Sequence, residues 1–212
     1  MGLNLSVFFQ GLESSKKIIN RSAHNTANVN TRAYKSVNSL TGSTDFSISS
    51  FSFSGNSLDL GISGDGFFKV LNSEGKALYS RKGDFSFDKE GNIVDSNGYK
   101  LDVDFKLDPN QPFAISKDGS VFQNGQQMGE IGVYDFMGKQ DLVRESGGYF
   151  SGISEPQKVN NAAVLSGSRE LSNTDISVEQ VAQILGKTSY AANIRGLKVM
   201  DEILGETLDL KS

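Results

Sequence analysis

Ser177-Val-Glu-Gln-Val-Ala-Gln-Ile-Leu-Gly-Lys-Thr-Ser-Tyr-Ala-Ala-Asn-Ile-Arg-Gly-Leu-Lys-Val-Met-Asp-Glu-Ile-Leu204 is the stretch whose reading decides the fold of this chain. Val178, Val181, Ile184/Leu185, Ala191, Ile194, Leu197, Leu204 and Leu208 recur at steps of three and four, the period of one helix face. Ser177-Val-Glu-Gln180 matches a capping box, with Ser177 as N-cap and Gln180 at N3. The pattern predicts a helix of roughly 30 residues, about 45 Å long at 1.5 Å per residue. Gly186 and Gly196 fall inside it, each costing about 1 kcal/mol relative to alanine. They mark either a weak helix or one that another helix approaches closely.

A helix with one apolar stripe must bury that stripe. The natural partner stands at the other end of the chain. Leu5, Phe8, Leu12 and Ile19, with Ser15 and Ser22 in the intervening places, form a narrow heptad-like seam. Lys16, Lys17, Asn20 and Arg21 occupy the opposite side. The pattern fades near Ala27, and Asn28 to Lys35 reads as a turn, because Asn and Thr side chains compete for the backbone. Such stripes must pair with each other, with other copies, or with both. The predicted assembly contacts are Leu5, Phe8, Leu12, Ile19, Val181, Ile184, Ile194, Leu197, Leu204 and Leu208.

Between the helices the signal changes. Phe67-Phe-Lys-Val-Leu71, Ala77-Leu-Tyr-Ser80 and Phe85-Ser-Phe87 are short β-prone runs. Turn sequences such as Asn72-Ser-Glu-Gly75, Ser96-Asn-Gly98, Lys117-Asp-Gly119 and Asn124-Gly125 separate them and predict an antiparallel meander or small barrel. The fold class is therefore α+β, with N- and C-terminal helices pairing as a coiled coil and a central antiparallel β-rich domain. The expected organisation is a helix over 1–35, an extended linker over 36–57, the β-rich domain over 58–152, a return segment over 153–174 and a helix over 175–212.

Composition narrows the function. The chain has 212 residues and a net charge of -4, and no stretch concentrates Lys and Arg, which argues against a nucleic-acid surface. It lacks cysteine, so thiolate chemistry and disulfides are excluded. No apolar run approaches the roughly 18 residues of a membrane span, and the first residues lack the basic region of a cleaved secretory signal. The expectation is a cytoplasmic protein or one exported without such a signal.

Catalytic signals are scarce. His24, the single histidine, has no neighbouring carboxylate in sequence. Gly61-Ile-Ser-Gly-Asp-Gly66 has the look of a phosphate loop, yet it precedes a strand instead of opening a helix, and a tight turn explains it. Gly186-Lys-Thr188 ends like a P-loop, but Val181 stands where the first glycine belongs. Asp84 and Asp88 near Gly91 lack the alternating ligands of a calcium loop and suit a hairpin turn. No metal or cofactor is expected. Phe46, Phe51 and Phe53 offer either a binding strip or packing for the linker.

Three segments, in order, resemble the bacterial flagellar axial proteins of the rod and hook group. Asn25, Ala27, Asn28, Asn30, Thr31, Tyr34 and Lys35 match the family's N-terminal pattern, with Arg32 and Ala33 in place of Pro or Thr and Gly. Alanine tolerates positive φ poorly, which leaves the geometry of that turn open. Leu58-Asp-Leu-Gly-Ile-Ser-Gly-Asp-Gly-Phe-Phe-Lys-Val70, followed by Tyr79-Ser-Arg-Lys-Gly-Asp-Phe85 and Asp88-Lys-Glu-Gly-Asn-Ile-Val94, resembles the entry to the family's β domain. Gly167-Ser-Arg-Glu-Leu-Ser-Asn-Thr-Asp175 is similar to the family's third motif, and Tyr190 to Asn193 and Asp201 to Leu204 to its C-terminal helix, while Gly186-Lys-Thr188 departs from it.

The resemblance implies terminal helices paired in an inner tube, a β domain outside it, and export through the flagellum's own channel. The short interval between the terminal segments suits a rod subunit, of the proximal type first and the distal type next. Its implied partners are other copies of itself, neighbouring rod or hook proteins and the flagellar export apparatus, with no cofactor, no nucleic acid and no membrane-integral segment. It implies residence in the periplasm-spanning basal body. The alternative from the residues alone is a monomeric β-rich module binding glycan or peptidoglycan on a helical stalk. A wall hydrolase comes third, since the carboxylates show no clustered acid pair.

Overall fold

The computed structural model describes residues 5–159 and 162–209, the side chains of 207–209 excepted, and these fall into two compact units. The first unit gathers two helices and residues 36–45. Helix α1 spans Leu5–Ala27 and helix α2 spans Ile176–Asp209. They run antiparallel, since Phe8 meets Gly196, Gly11 meets Asn193, and Ser15 and Ile19 meet Gly186.

The close approach explains the glycines. A Cβ on Gly186 would lie 2.7 Å from Ile19 Cγ1 and 3.3 Å from the Ser15 carbonyl, and one on Gly196 would collide with the Phe8 ring. The propensity lost at these positions is exchanged for contact between the helices. Helix α2 starts two residues earlier than the capping box predicts. Asp175 Oδ1 accepts the Ser177 amide at 2.8 Å, and the Asp175 carbonyl accepts the Glu179 amide at 3.1 Å. A carboxylate at the N-cap satisfies a free amide and also opposes the positive helix end, so Asp175 displaces Ser177 from that role.

Residues 36–45 return on themselves beside the helices. Val37 bridges Thr44, and the Asn38 amide bonds the Ser43 carbonyl at 2.8 Å.

The second unit comprises residues 30–35 and 46–173. Its strands are β1 (Phe51–Phe53), β2 (Leu60–Ser63), β3 (Phe67–Leu71), β4 (Ala77–Ser80), β5 (Phe85–Phe87), β6 (Ile93–Asp95), β7 (Lys100–Leu101) and β8 (Phe113–Ile115). The chain continues through β9 (Ser120–Gln123), β10 (Gln126–Glu130), β11 (Val133–Asp135), β12 (Leu142–Arg144), β13 (Phe150–Gly152), β14 (Gln157–Lys158), β15 (Ala163–Ser166) and β16 (Ser168–Glu170). All pairings are antiparallel, as hairpin turns at short spacing dictate.

The main sheet runs β12-β13-β4-β3-β7-β6-β5, with β11 and β14 attached through β3. Beside it stand a β10-β9-β8 meander and the two ribbons β15-β2 and β1-β16. Leu60, Ile62, Phe68, Val70, Ile93, Val121, Ile131 and Val164 are buried within one core, and Phe67, Tyr79, Phe136 and Phe150 form a second aromatic one. The architecture is α+β, with terminal helices in contact and an antiparallel β-rich centre, as the sequence predicts.

Candidate assembly surface and its buried anchors

The three segments that carry the family resemblance meet, within the second unit, in one buried ion cluster. Glu170 is its hub. Lys35 Nζ donates to Glu170 Oε1 at 2.7 Å, and Arg81 Nε donates to Glu170 Oε2 at 2.6 Å. All three side chains are shielded from solvent. Two cations on one carboxylate leave an excess positive charge, which backbone carbonyls absorb. Ser47 O accepts from Lys35 at 2.6 Å, while Ile62 O, Gly64 O and Gly66 O accept from the Arg81 guanidinium at 2.6, 3.0 and 2.8 Å. The glycine-rich loop that looks like a phosphate cradle thus turns carbonyls, not amides, toward a cation, the opposite of an anion site.

The turn over residues 30–35 is fixed to the same hub. The Ala33 amide donates to the Glu170 carbonyl at 2.9 Å, and Tyr34 N donates to the Thr31 carbonyl at 3.2 Å. Ala33 adopts φ +52°, a left-handed turn that glycine would take more easily. Tyr34 is buried, with the Arg144 guanidinium 5.4 Å from its ring centre and 5.3 Å from that of Phe150. Arg144 also donates to the Lys35 carbonyl. Burial pushes the Arg144 pKa down, with Tyr34 acting in the opposite sense. A second pair links two of these segments, Arg169 Nη2 lying 2.6 Å from the buried Asp59 Oδ2.

The first unit has its own anchor, made from neutral donors. Asn25 is fully buried and bonds both backbone groups of Val37, its Oδ1 accepting at 2.9 Å and its Nδ2 donating at 2.6 Å. Asn25 Nδ2 also donates to Glu179 Oε1 at 2.8 Å, and Ser39 Oγ to Glu179 Oε2 at 2.8 Å. Ser22 Oγ donates to the Glu179 carbonyl at 2.6 Å. One Asn, one Glu and two Ser therefore fasten α1, α2 and residues 36–45 together. Of the other motif residues, Asn28 donates to the His24 carbonyl at 2.8 Å, Asn30 is exposed and Thr31 is half-buried.

The helices divide the predicted assembly residues into two sets. Phe8, Leu12, Ile19, Ile194 and Leu197 are half-buried, whereas Leu5, Val181, Ile184 and Leu204 are exposed. The Leu208 side chain lies outside the described residues. The row of α2 that is shielded runs through Glu179, Ala182, Gly186, Asn193, Gly196 and Met200. Gly186 and Gly196 stand in it where the backbones approach too closely for a side chain. A second row stays open: Val178, Val181 and Leu185 are 61, 57 and 50% exposed, with Val199 and Ile203 further along.

Other sequence signals resolve into packing. Phe46 sits edge-on to Phe67 at 5.6 Å, Phe51 covers Gly61, and of the three aromatics only Phe53 stays largely exposed. Asp88 Oδ1 accepts the Glu90 and Asn92 amides at 2.8 Å each, as a hairpin-turn carboxylate does. Among the described residues no three His, Asp or Glu gather as a metal site, and no helix is long and apolar enough to cross a membrane.

The pairings themselves escaped sequence reasoning. Glu179 stood inside the apparent capping box, and Arg81 and Glu170 stood as motif letters without partners. The one usable signal was a set of charged residues within otherwise apolar or turn-forming motifs.

Comparison with known proteins agrees with this geometry. A family model for the D1 domain of the flagellar hook protein FlgE/F/G matches residues 61–123, the stretch that supplies Arg81 and the carbonyls around it. The flagellar basal-body rod protein FlgG of Bacillus subtilis (strain 168) is 32% identical over 177 residues, covering 74% of this chain and 66% of its own length. FlgG of Borreliella burgdorferi is 28% identical over 170 residues, covering 72% and 64%. The flagellar basal-body rod protein FlgF of Mesorhizobium japonicum is 28% identical over 149 residues, covering 66% and 61%. The chain spans a little under two thirds of the length of these relatives.

Proposed function

The chain belongs to the flagellar rod and hook protein family, and from that premise we propose that it is a structural subunit of the basal-body rod. The observation that carries this reading is the open row Val178, Val181 and Leu185 on α2, which α1 leaves exposed. An apolar row of this length favours burial against further helices. Neighbouring copies of the chain supply them, and a head-to-tail contact that does not close propagates as a helical tube.

The subunit then has two kinds of apolar contact. Phe8, Leu12, Ile19, Ile194 and Leu197 serve the pairing within one chain. Leu5, Val181, Ile184, Leu204 and Leu208 serve contacts with other copies and with adjoining rod or hook proteins. The fully bonded anchors at Glu170 and Glu179 supply the internal stiffness that a torque-bearing shaft requires. The chain reaches the basal body through the flagellar export apparatus and works as a scaffold, not as an enzyme.

The test separates the two sets. Val181→Asp combined with Leu185→Asp leaves the helicity and melting of the isolated subunit unchanged, and removes the protein from purified basal bodies. Leu197→Asp weakens the helix pair itself. Normal incorporation of the Val181/Leu185 double variant would overturn the proposal.

A further inference from the structure

The chain holds two Asn-Gly turns, Asn97-Gly98 and Asn124-Gly125, equal in sequence and both exposed. Asparagine before glycine is chemically labile, because the following amide nitrogen reaches the side-chain carbonyl without steric hindrance. Whether it reacts depends on how both groups are held.

The first turn is held. The Gly98 amide donates to the Asp95 carbonyl at 2.9 Å, and the Asn97 amide donates to Asp95 Oδ1 at 2.9 Å. Asn97 Nδ2 donates to the Tyr149 hydroxyl at 2.8 Å. The would-be nucleophile and the would-be leaving group are thus both engaged.

The second turn has none of these restraints. Asn124 and Gly125 form the two-residue tip between β9 and β10, with φ of +53° and +78°. That is the doubly left-handed turn favoured by Asn-Gly. Among the described residues neither the Gly125 amide nor the Asn124 side chain has a hydrogen-bond partner.

We infer that Asn124-Gly125 is a site of spontaneous modification, losing its side-chain amide to give aspartate and isoaspartate. Water or hydroxide takes the Gly125 amide proton, the nitrogen attacks Asn124 Cγ, and the Cγ–Nδ2 bond breaks as Nδ2 takes a proton back from water and leaves as ammonia. The resulting five-membered imide is opened by water at either carbonyl. No oxidant or enzyme is needed, and the product adds one negative charge at the hairpin tip. The inference stands apart from the rod assignment.

The experiment incubates the full chain at mildly alkaline pH, folded and in denaturant, and follows conversion in the tryptic peptides Asp118–Lys139 and Glu90–Lys100. In denaturant both peptides convert at similar rates. In the folded protein the Asn124 peptide stays near its unfolded rate, while the Asn97 peptide slows by ~10-fold or more, the factor expected from two or three modest hydrogen bonds. Equal protection of the two sites on folding, or faster loss at Asn97, would overturn the assignment.

Discussion

Lys35 Nζ and Glu170 Oε1 lie 2.7 Å apart with neither side chain reaching solvent, and Arg81 closes the same carboxylate from the other side. A single acid is therefore shared by two buried cations, and backbone carbonyls take up the remaining positive charge. Replacing Glu170 with Ala strands both, and the expected loss is about 3–5 kcal/mol of stability. Lys35→Met costs less, because Arg81 still holds Glu170. Urea denaturation of the two variants measures the order, and an equal or reversed order would refute the hub role.

Ala33 keeps a left-handed conformation at φ +52° while its amide bonds the Glu170 carbonyl. An L-residue with a Cβ pays roughly 1 kcal/mol there. Ala33→Gly should raise the melting temperature, and Ala33→Val should lower it, since a branched Cβ tolerates this region least. Thermal melts of both variants test the sign.

Gly186 and Gly205 lie in one helix but predict opposite outcomes. A Cβ at Gly205 meets nothing within 4 Å, so Gly205→Ala should gain up to about 1 kcal/mol of helix propensity. At Gly186 the same methyl enters the space of Ile19 and the Ser15 carbonyl, and the expected cost is about 1–3 kcal/mol of overpacking. Circular dichroism melts of the two single variants decide the matter. Stabilisation by both would mean that the helices are not in close contact at Gly186.

Tyr149 governs an alkaline limb. Burial first, and then its 2.5 Å donation to Asp95 Oδ2, raise the phenol pKa well above its ordinary value. The folded state therefore holds this proton more tightly than the unfolded chain. Its contribution is complete below the ordinary phenol pKa of about 10 and falls as pH rises beyond it. Tyr149→Phe should lower stability at neutral pH and flatten the alkaline slope, which denaturant unfolding across that range records.

Much of the fold was legible because its signals are local. The period of Leu5, Phe8, Leu12 and Ile19 and the Asn-Gly and Asp-Gly turns act within a few residues, so helices and hairpins followed from them. The anchors are not local. Nothing in the spacing of Lys35, Arg81 and Glu170 says that they converge, because side-chain pairing across a fold leaves no periodicity. The shielded row of α2 was only half legible, because Gly186 and Gly196 read equally as a weak helix or as the close approach of another. Hydrophobic period points to large side chains, whereas the closest helix contact runs through Ser15, Ser22, Gly186 and Gly196. At the N-terminus of α2 the spacing from Ser177 to Gln180 points to Ser177 as the cap, and only the backbone geometry gives that place to Asp175.

Glu170 follows Lys35 by 135 positions and Arg81 by 89. Closure over such separations has an entropic cost that only the completed cluster offsets. A chain emerging from its N-terminus cannot finish the turn at Ala33 until the strand bearing Glu170 has arrived. The last strand of the β unit is thus also the fastener for one of its first turns. Premature folding of the leading segment is held back until almost all of the unit is present, and folding then proceeds at the slower pace of a topology rich in distant contacts.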